Sequence, residues 1–285
     1  MSKVNIKFPK KNISNKEIES LFKKIGLQKL INKKKYFIDG YEVTKKDLID
    51  KKKDTKDSFD IRITKNPQPP ELRDLYKIYM LIVLNKRTTV LEFGCGFSSL
   101  VISKALEFNK SKSGTRKPFT RCEYPYNHFI IDDDKKYLNL TKKRIEKELK
   151  NSKTNYHFSE CQMTMFNGNF AHEYKTLPRV NPDFIYLDGP SPFNVKGKIN
   201  NFTVASKDMM PMSCDILKFE NHLTPGTIIL IDGRTANARF LKNNFRRNWK
   251  EYYSYKEDQT IFLLNERPLG PFNLEQLEFY SNKKK

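Results

Sequence analysis

Apolar and polar residues alternate along this chain in two periods. Short runs of four or five apolar residues recur as TTVL (Thr88–Leu91), HFII (His128–Ile131), FIYL (Phe184–Leu187) and TIILI (Thr227–Ile231). Runs this short, bounded by turn residues, are the pattern of strands buried on both faces. Between them apolar residues return at helical spacing. Leu72, Leu75, Ile78, Tyr79 and Ile82 share one face; Leu100, Val101, Ala105, Leu106 and Phe108 another; Leu138, Ile145 and Leu149 a third. Further helices are expected over 215–223 and 236–245, and a short third strand over Tyr156–Cys161. Strand alternating with helix implies a doubly wound, mostly parallel α/β sheet. The end of the chain breaks the alternation: Glu251–Tyr255 and Gln259–Leu264 read as adjacent strands joined by a short polar turn.

The first 66 residues follow another pattern. After an irregular arm, 16–31 is amphipathic (Ile18, Leu21, Phe22, Ile25, Leu27, Leu30) with Gly26 interrupting it. Tyr36–Thr44 then reads as a hairpin turning at Asp39-Gly40. Residues 45–66 are charged, expected as loop with one short helix. Pro67–Pro70 breaks the chain. The expected organisation is a small basic appendage, 1–66, and one domain, 67–285. Polar stretches at 109–127 and 191–210 are expected to loop out.

Composition narrows the class. No apolar run approaches the ~18 residues of a membrane span, and MSKVNIKFPKKN lacks the apolar core of a secretory signal. Cys95, Cys122, Cys161 and Cys214 form no CxxC pair, which fits reduced thiols in the cytoplasm. The net charge is +21, of which 1–66 contribute +10, with 18 Lys and one Arg against nine acids. Such charge suits nucleic acid as a partner through a basic surface. The lysines are spread thinly, however, as in a chain that fills solvated positions with lysine.

The candidate chemistry lies at the strand ends. After TTVL come Glu92, Gly94, Gly96, Ser98 and Ser99, then the helix from Leu100. A glycine turn between strand and helix brings backbone close to a small ligand, and the helix N-terminus offers free N–H groups. Asp132, Asp188 and Asp232 close three further strands. Four acids around one sheet edge serve binding better than stability, because an unpaired buried carboxylate costs several kcal/mol. Asp133 and Asp134 read instead as caps of the next helix.

Glu92-x-Gly94-x-Gly96-x-Ser98 resembles motif I of the class I S-adenosylmethionine (SAM) dependent methyltransferases, with Ser98 in the third glycine's place. The stretches PPELRDLYKIYMLIVLNKRTTVLEFGCGFSSLV, PDFIYLDGP, MPMSCDILKFE and PGTIILIDGRTANARFLK look like blocks of an uncharacterised methyltransferase-like family, over 67–285. The resemblance implies a Rossmann-like seven-stranded sheet whose reversed seventh strand lies beside the sixth. It implies SAM as cofactor. Gly94 and Gly96 would border its amino-acid part, Ser98 could donate it a hydrogen bond, Glu92 would face its ammonium directly or through water, and Asp132 (alternatively Asp134) would hold the ribose. Adenine would lie near Ser159, Glu160 and Cys161. Asp188 would border both the methionine part and the acceptor, and with Asp232 and Arg234 would serve a small-molecule acceptor, hydroxylated or anionic, with Arg234 either clamping it or bridging at a helix start. Some relatives hold Mg²⁺ with such acids; Asp188 and Asp232 fit, but Gly233 replaces the usual Asn and no third ligand stands out. Ser99, where a nicotinamide fingerprint needs glycine, and the final hairpin argue against a nicotinamide enzyme. His128, His157 and His222 read as structural, and His172 as a candidate base in a loop. The alternative function is non-catalytic nucleic-acid binding on the same fold.

Overall fold

The computed structural model describes residues 5–28, 35–38, 41–44, 71–114, 117–205 and 210–281. The expected turn at Asp39-Gly40, the short helix within 45–66 and the break at Pro67–Pro70 lie outside the described residues. The hairpin strands themselves are β1, Lys35–Ile38, and β2, Tyr41–Thr44.

A seven-stranded sheet forms the centre. Its strands are β3 (Thr89–Phe93), β4 (Asn127–Asp132), β5 (Lys153–Phe158), β8 (Phe184–Leu187), β9 (Ile228–Asp232), β10 (Trp249–Ser254) and β11 (Gln259–Leu264). Their order is β10-β11-β9-β8-β3-β4-β5, and only β11 runs against its neighbours. The sheet is therefore α/β, doubly wound and mostly parallel, with the reversed last strand lodged beside the sixth as the sequence led us to expect.

Successive residues of each central strand point to opposite faces, and both faces are buried. Val90, Ile130, Tyr186, Ile228 and Leu230 face one apolar layer. There they meet α2 (Leu72–Leu84), α3 (Phe97–Ser113) and α4 (Lys135–Glu148). Leu91, Phe93, Ile131, Ile185, Leu187, Ile229 and Ile231 face the other. That layer is closed by α5 (Asp215–Phe219), α6 (Thr235–Asn244) and an antiparallel hairpin, β6 (Cys161–Phe166) with β7 (Asn169–Tyr174).

Three features depart from the sequence reading. The hairpin β6–β7 was not anticipated, although Asn167-Gly168 between alternating residues is a strong hairpin signal. The C-terminal helix α7 (Gly270–Ser281) was also missed. It shuts the amino-terminal end of the sheet: Tyr280 Oη donates to Asp183 at 2.7 Å, and Asp183 also accepts the Thr88 and Thr89 backbone N–H groups. Third, residues 5–27 are not separate from the main domain. In α1 (Asn15–Lys24) a capping box joins Ser14 and Glu17, and Gly26, at φ +81°, ends the helix so that the Leu27 N–H reaches Phe22 O. Ile6, Ile18, Phe22 and Leu27 are buried in the same layer as α2, and Asn85 clasps the Lys7 backbone through both N–H and C=O. Residues 5–27 therefore share one packed layer with α2.

Candidate active site

β3 extends to Phe93, two residues further than its apolar run suggested, so Glu92 lies within the strand. Gly94 follows at φ +91°, a conformation that favours glycine. A Cβ there would stand 2.8 Å from Gly189 N and 2.9 Å from Gly189 Cα. The turn after β3 and the turn after β8 therefore touch backbone to backbone. The Gly94 N–H donates to Ile131 O at 2.8 Å and the Asp188 N–H to Phe93 O at 3.0 Å, which continues the ladder past the strand ends. Gly96 differs: nothing lies within 4 Å of a Cβ built there. Gly94 is spent on the fold, and Gly96 leaves open space at the start of α3.

Three aspartates gather around this turn. Asp132 ends β4, only 8% exposed, and its Oδ1 accepts the Asp134 N–H at 2.7 Å. Burial pushes its carboxyl up to about 7. Asp134 caps α4 as expected, accepting from the Lys136 and Tyr137 N–H groups. Asp133 is no such cap; one of its oxygens is buried without a partner. Asp188 follows β8. The surrounding protein pushes its carboxyl up to about 7, while the Arg234 guanidinium pulls it down; the charges of Asp232, Glu92 and Asp132 add to the upward push. Its side chain is 55% exposed, so water reaches it and moderates that rise. Asp232 ends β9, accepts from Tyr186 Oη at 3.3 Å and is also raised by burial.

Asp74 joins them from α2, a residue the sequence reading missed. Burial, then Asp232, raise it to about 7, and Lys77 stands 3.7 Å away. Its one sequence signal was an acid in the first turn of the helix preceding β3.

Arg234 starts α6, with a side chain 11% exposed. Its Nη2 donates to Asp188 O at 2.6 Å and Pro190 O at 2.8 Å, and Nε lies 3.9 Å from the Asp188 carboxylate. It thus clamps the loop that carries Asp188, while its Nη1 is buried without a partner.

Other expected positions move. Glu92 does not face the crevice: its side chain is 1% exposed, Oε1 accepts from Ser98 Oγ at 2.6 Å, and Oε2 lies 3.0 Å from His128 Nε2. That second contact is close but is not a hydrogen bond, and neither atom has a hydrogen-bond partner. An ammonium therefore cannot meet Glu92 directly. Cys161 opens β6, buried in the core with its thiol 3.4 Å from His172 Nδ1. Ser159 accepts the Thr176 N–H and Glu160 pairs with Lys175. His172 lies in β7, fully buried; desolvation, then Arg234, lower it to about 3, so it is neutral near pH 7. Among the described residues no three His, Cys, Asp or Glu side chains are grouped to hold a metal, and no helix is long and apolar enough to cross a membrane.

No family model matches the chain, and no curated protein matches it significantly. Solved structures do. An O-methyltransferase from Bacillus cereus in complex with SAH is 12% identical, with 69% of this chain and 82% of that one covered and a TM-score of 0.40. TomG from Streptomyces achromogenes, an O-methyltransferase of tomaymycin synthesis in complex with SAM, is 13% identical over 69% and 82%, with a TM-score of 0.39. The SAH-bound methyltransferase PaMTH1 from Podospora anserina is 11% identical over 90% and 99%, with a TM-score of 0.41. Likeness this distant carries neither a substrate nor a residue role across.

Proposed function

We propose that this chain transfers a methyl group from SAM to a small acceptor. The observation that carries the reading is the set of groups at the carboxyl ends of β3, β4, β8 and β9: Gly96 with open space beside it, and Asp188, on which the charges of Asp132 and Asp232 act, in a sheet whose reversed β11 lies between β9 and β10. In doubly wound sheets ligands settle at such ends.

The residues fit the cofactor. The space over Gly96 would border its amino-acid part, the N–H groups of the first turn of α3 would meet its carboxylate, and Asp132 would accept the ribose hydroxyls. When bound, SAM supplies a methyl group on a positively charged sulfur. Asp132 and Asp188, raised towards 7 when no cation is near, would return to the ionised form beside that charge. Asp188, exposed on the acceptor side and ionised beside that charge, would take the acceptor proton. Arg234 would hold the Asp188 loop in register. Asp232 and Asp74 make that side acidic. Asp188 and Asp232 are the pair that would hold Mg²⁺ in a metal-dependent version, which EDTA distinguishes in an activity assay.

Calorimetric titration with SAM, S-adenosylhomocysteine, NAD and a nucleotide sugar tests the reading. Binding of the first two is expected, weakened roughly tenfold or more in Asp132→Ala by the lost charged hydrogen bonds. Binding of NAD alone, or of none, refutes it. The net charge of +21 favours a second reading, nucleic-acid binding on the same fold. It requires an affinity that falls steeply with salt.

A further inference from the structure

The sheet face beneath α3 carries one line of polar side chains through apolar surroundings. Ser98 Oγ donates to Glu92 Oε1 at 2.6 Å, Glu92 Oε2 lies 3.0 Å from His128 Nε2, and His128 Nδ1 lies 2.9 Å from Ser103 Oγ. Ser103 continues to Thr154 Oγ1 at 3.1 Å, and Thr154 to Ser152 Oγ at 2.6 Å. Val90 pairs with His128 and His128 with Thr154, so the line crosses β3, β4 and β5 diagonally from the crevice end towards the other end of the sheet. Glu92 and His128 are fully buried and Ser103 nearly so.

One tautomer suits the line: Nδ1 accepts the Ser103 O–H, and the Nε2 proton turns towards Glu92 Oε2 in a close electrostatic contact that is not a hydrogen bond. The other tautomer would set a ring lone pair against a carboxylate lone pair. Apolar residues of similar volume would serve stability as well as a buried pair does, so stability alone does not account for this one. Its crevice end is Ser98, in the first turn of α3. That turn contains no acidic residue, and Gly96 has no side chain with which to cap it.

We propose that His128 is a positioning residue: it fixes the Glu92 carboxylate inside the sheet, and Glu92 in turn holds Ser98 and the Gly96 turn at the geometry that receives the cofactor. The proposal rests on the methyl-transfer reading for the identity of that ligand, but not for the mechanics of the turn. It replaces direct contact between Glu92 and an ammonium with support from beneath.

The test uses the full chain with His128→Leu, His128→Gln and Ser98→Ala, at a temperature where circular dichroism shows each folded. S-adenosylhomocysteine is titrated calorimetrically, and amide exchange is followed at Ser98 and Ser99. His128→Leu is expected to weaken binding about tenfold and to speed exchange at both amides by a similar factor, with β8 and β9 unchanged. His128→Gln, whose amide N–H reaches towards Glu92, is expected to regain most of both. Wild-type affinity and exchange in His128→Leu overturn the proposal. If that variant does not fold, Ser98→Ala cuts the same line at its outer end and must show both effects; wild-type behaviour there overturns the proposal equally. If the wild type does not bind S-adenosylhomocysteine, the methyl-transfer reading fails, and exchange at Ser98 and Ser99 alone decides the positioning role.

Discussion

Two glycines at the candidate site are predicted to fail in opposite ways when each is changed to alanine. In Gly189→Ala the added Cβ overlaps the Gly94 Cα and N and stands 2.9 Å from the Phe93 carbonyl carbon. All are backbone atoms of a turn pinned by ladder bonds to Ile131 and from Asp188. Ordinary carbon contacts are about 3.5–4.0 Å, so the ends of β3 and β8 must part by roughly 1 Å. Overpacking of this kind costs about 1–3 kcal/mol. At about 2–4 °C per kcal/mol for a chain of this size, the melting temperature should fall by several degrees. The displacement also moves Asp188 relative to the Gly96 turn, so ligand affinity should fall as well. In Gly96→Ala the Cβ enters open space, and a φ of 169° is extended backbone that alanine adopts. Stability should therefore hold within about 0.5 kcal/mol, while SAM and S-adenosylhomocysteine affinity drops because the methyl group occupies the ligand's place. Differential scanning fluorimetry and calorimetric titration on both variants read the two effects. A Gly96→Ala protein that binds as tightly as wild type would refute the placement of the cofactor over this turn.

Asp188→Asn keeps the size of the side chain and is expected to fold, to retain cofactor affinity in part and to lose most turnover once an acceptor is known; full turnover would leave Asp188 as scaffold. Asp215 is fully buried and burial raises its carboxyl to about 7, against about 3.9 unfolded. The folded state then binds more protons between those values, so this group lowers stability as pH rises from about 4 to 7; denaturant melts of wild type and Asp215→Asn across that range should show a flatter slope in the variant. Phe22→Ala empties a fully buried site between α1 and α2, and a loss of about 3–5 kcal/mol is expected in denaturant melts. A chain started near residue 67 should be destabilised for the same reason.

What the sequence determined by itself was the alternation of elements and, through it, the strand ends at which the candidate residues lie. Buried parallel strands must be continuous apolar runs, and a carboxylate or glycine ending such a run can only sit at the sheet edge. That is why Gly94, Gly96, Asp132, Asp188 and Asp232 were legible at their strand ends, with β4, β8 and β11 found at or within two residues of their observed bounds. Tertiary structure decided which of these groups face the crevice. Glu92 and Asp132 look alike in sequence, each an acid closing an apolar run. One residue of strand length carries Glu92 into the sheet against His128, and no local pattern encodes a partner 36 positions away across β3 and β4. Gly94 and Gly189 depend on each other through a contact between separate turns, which the spacing of glycines cannot reveal. Asp74 and Arg234 take their roles from neighbours brought by other elements. Periodicity reports the face a side chain takes within its own element. Its partner, its burial and its charge state come from elements distant in sequence, and these exist only once the sheet has closed.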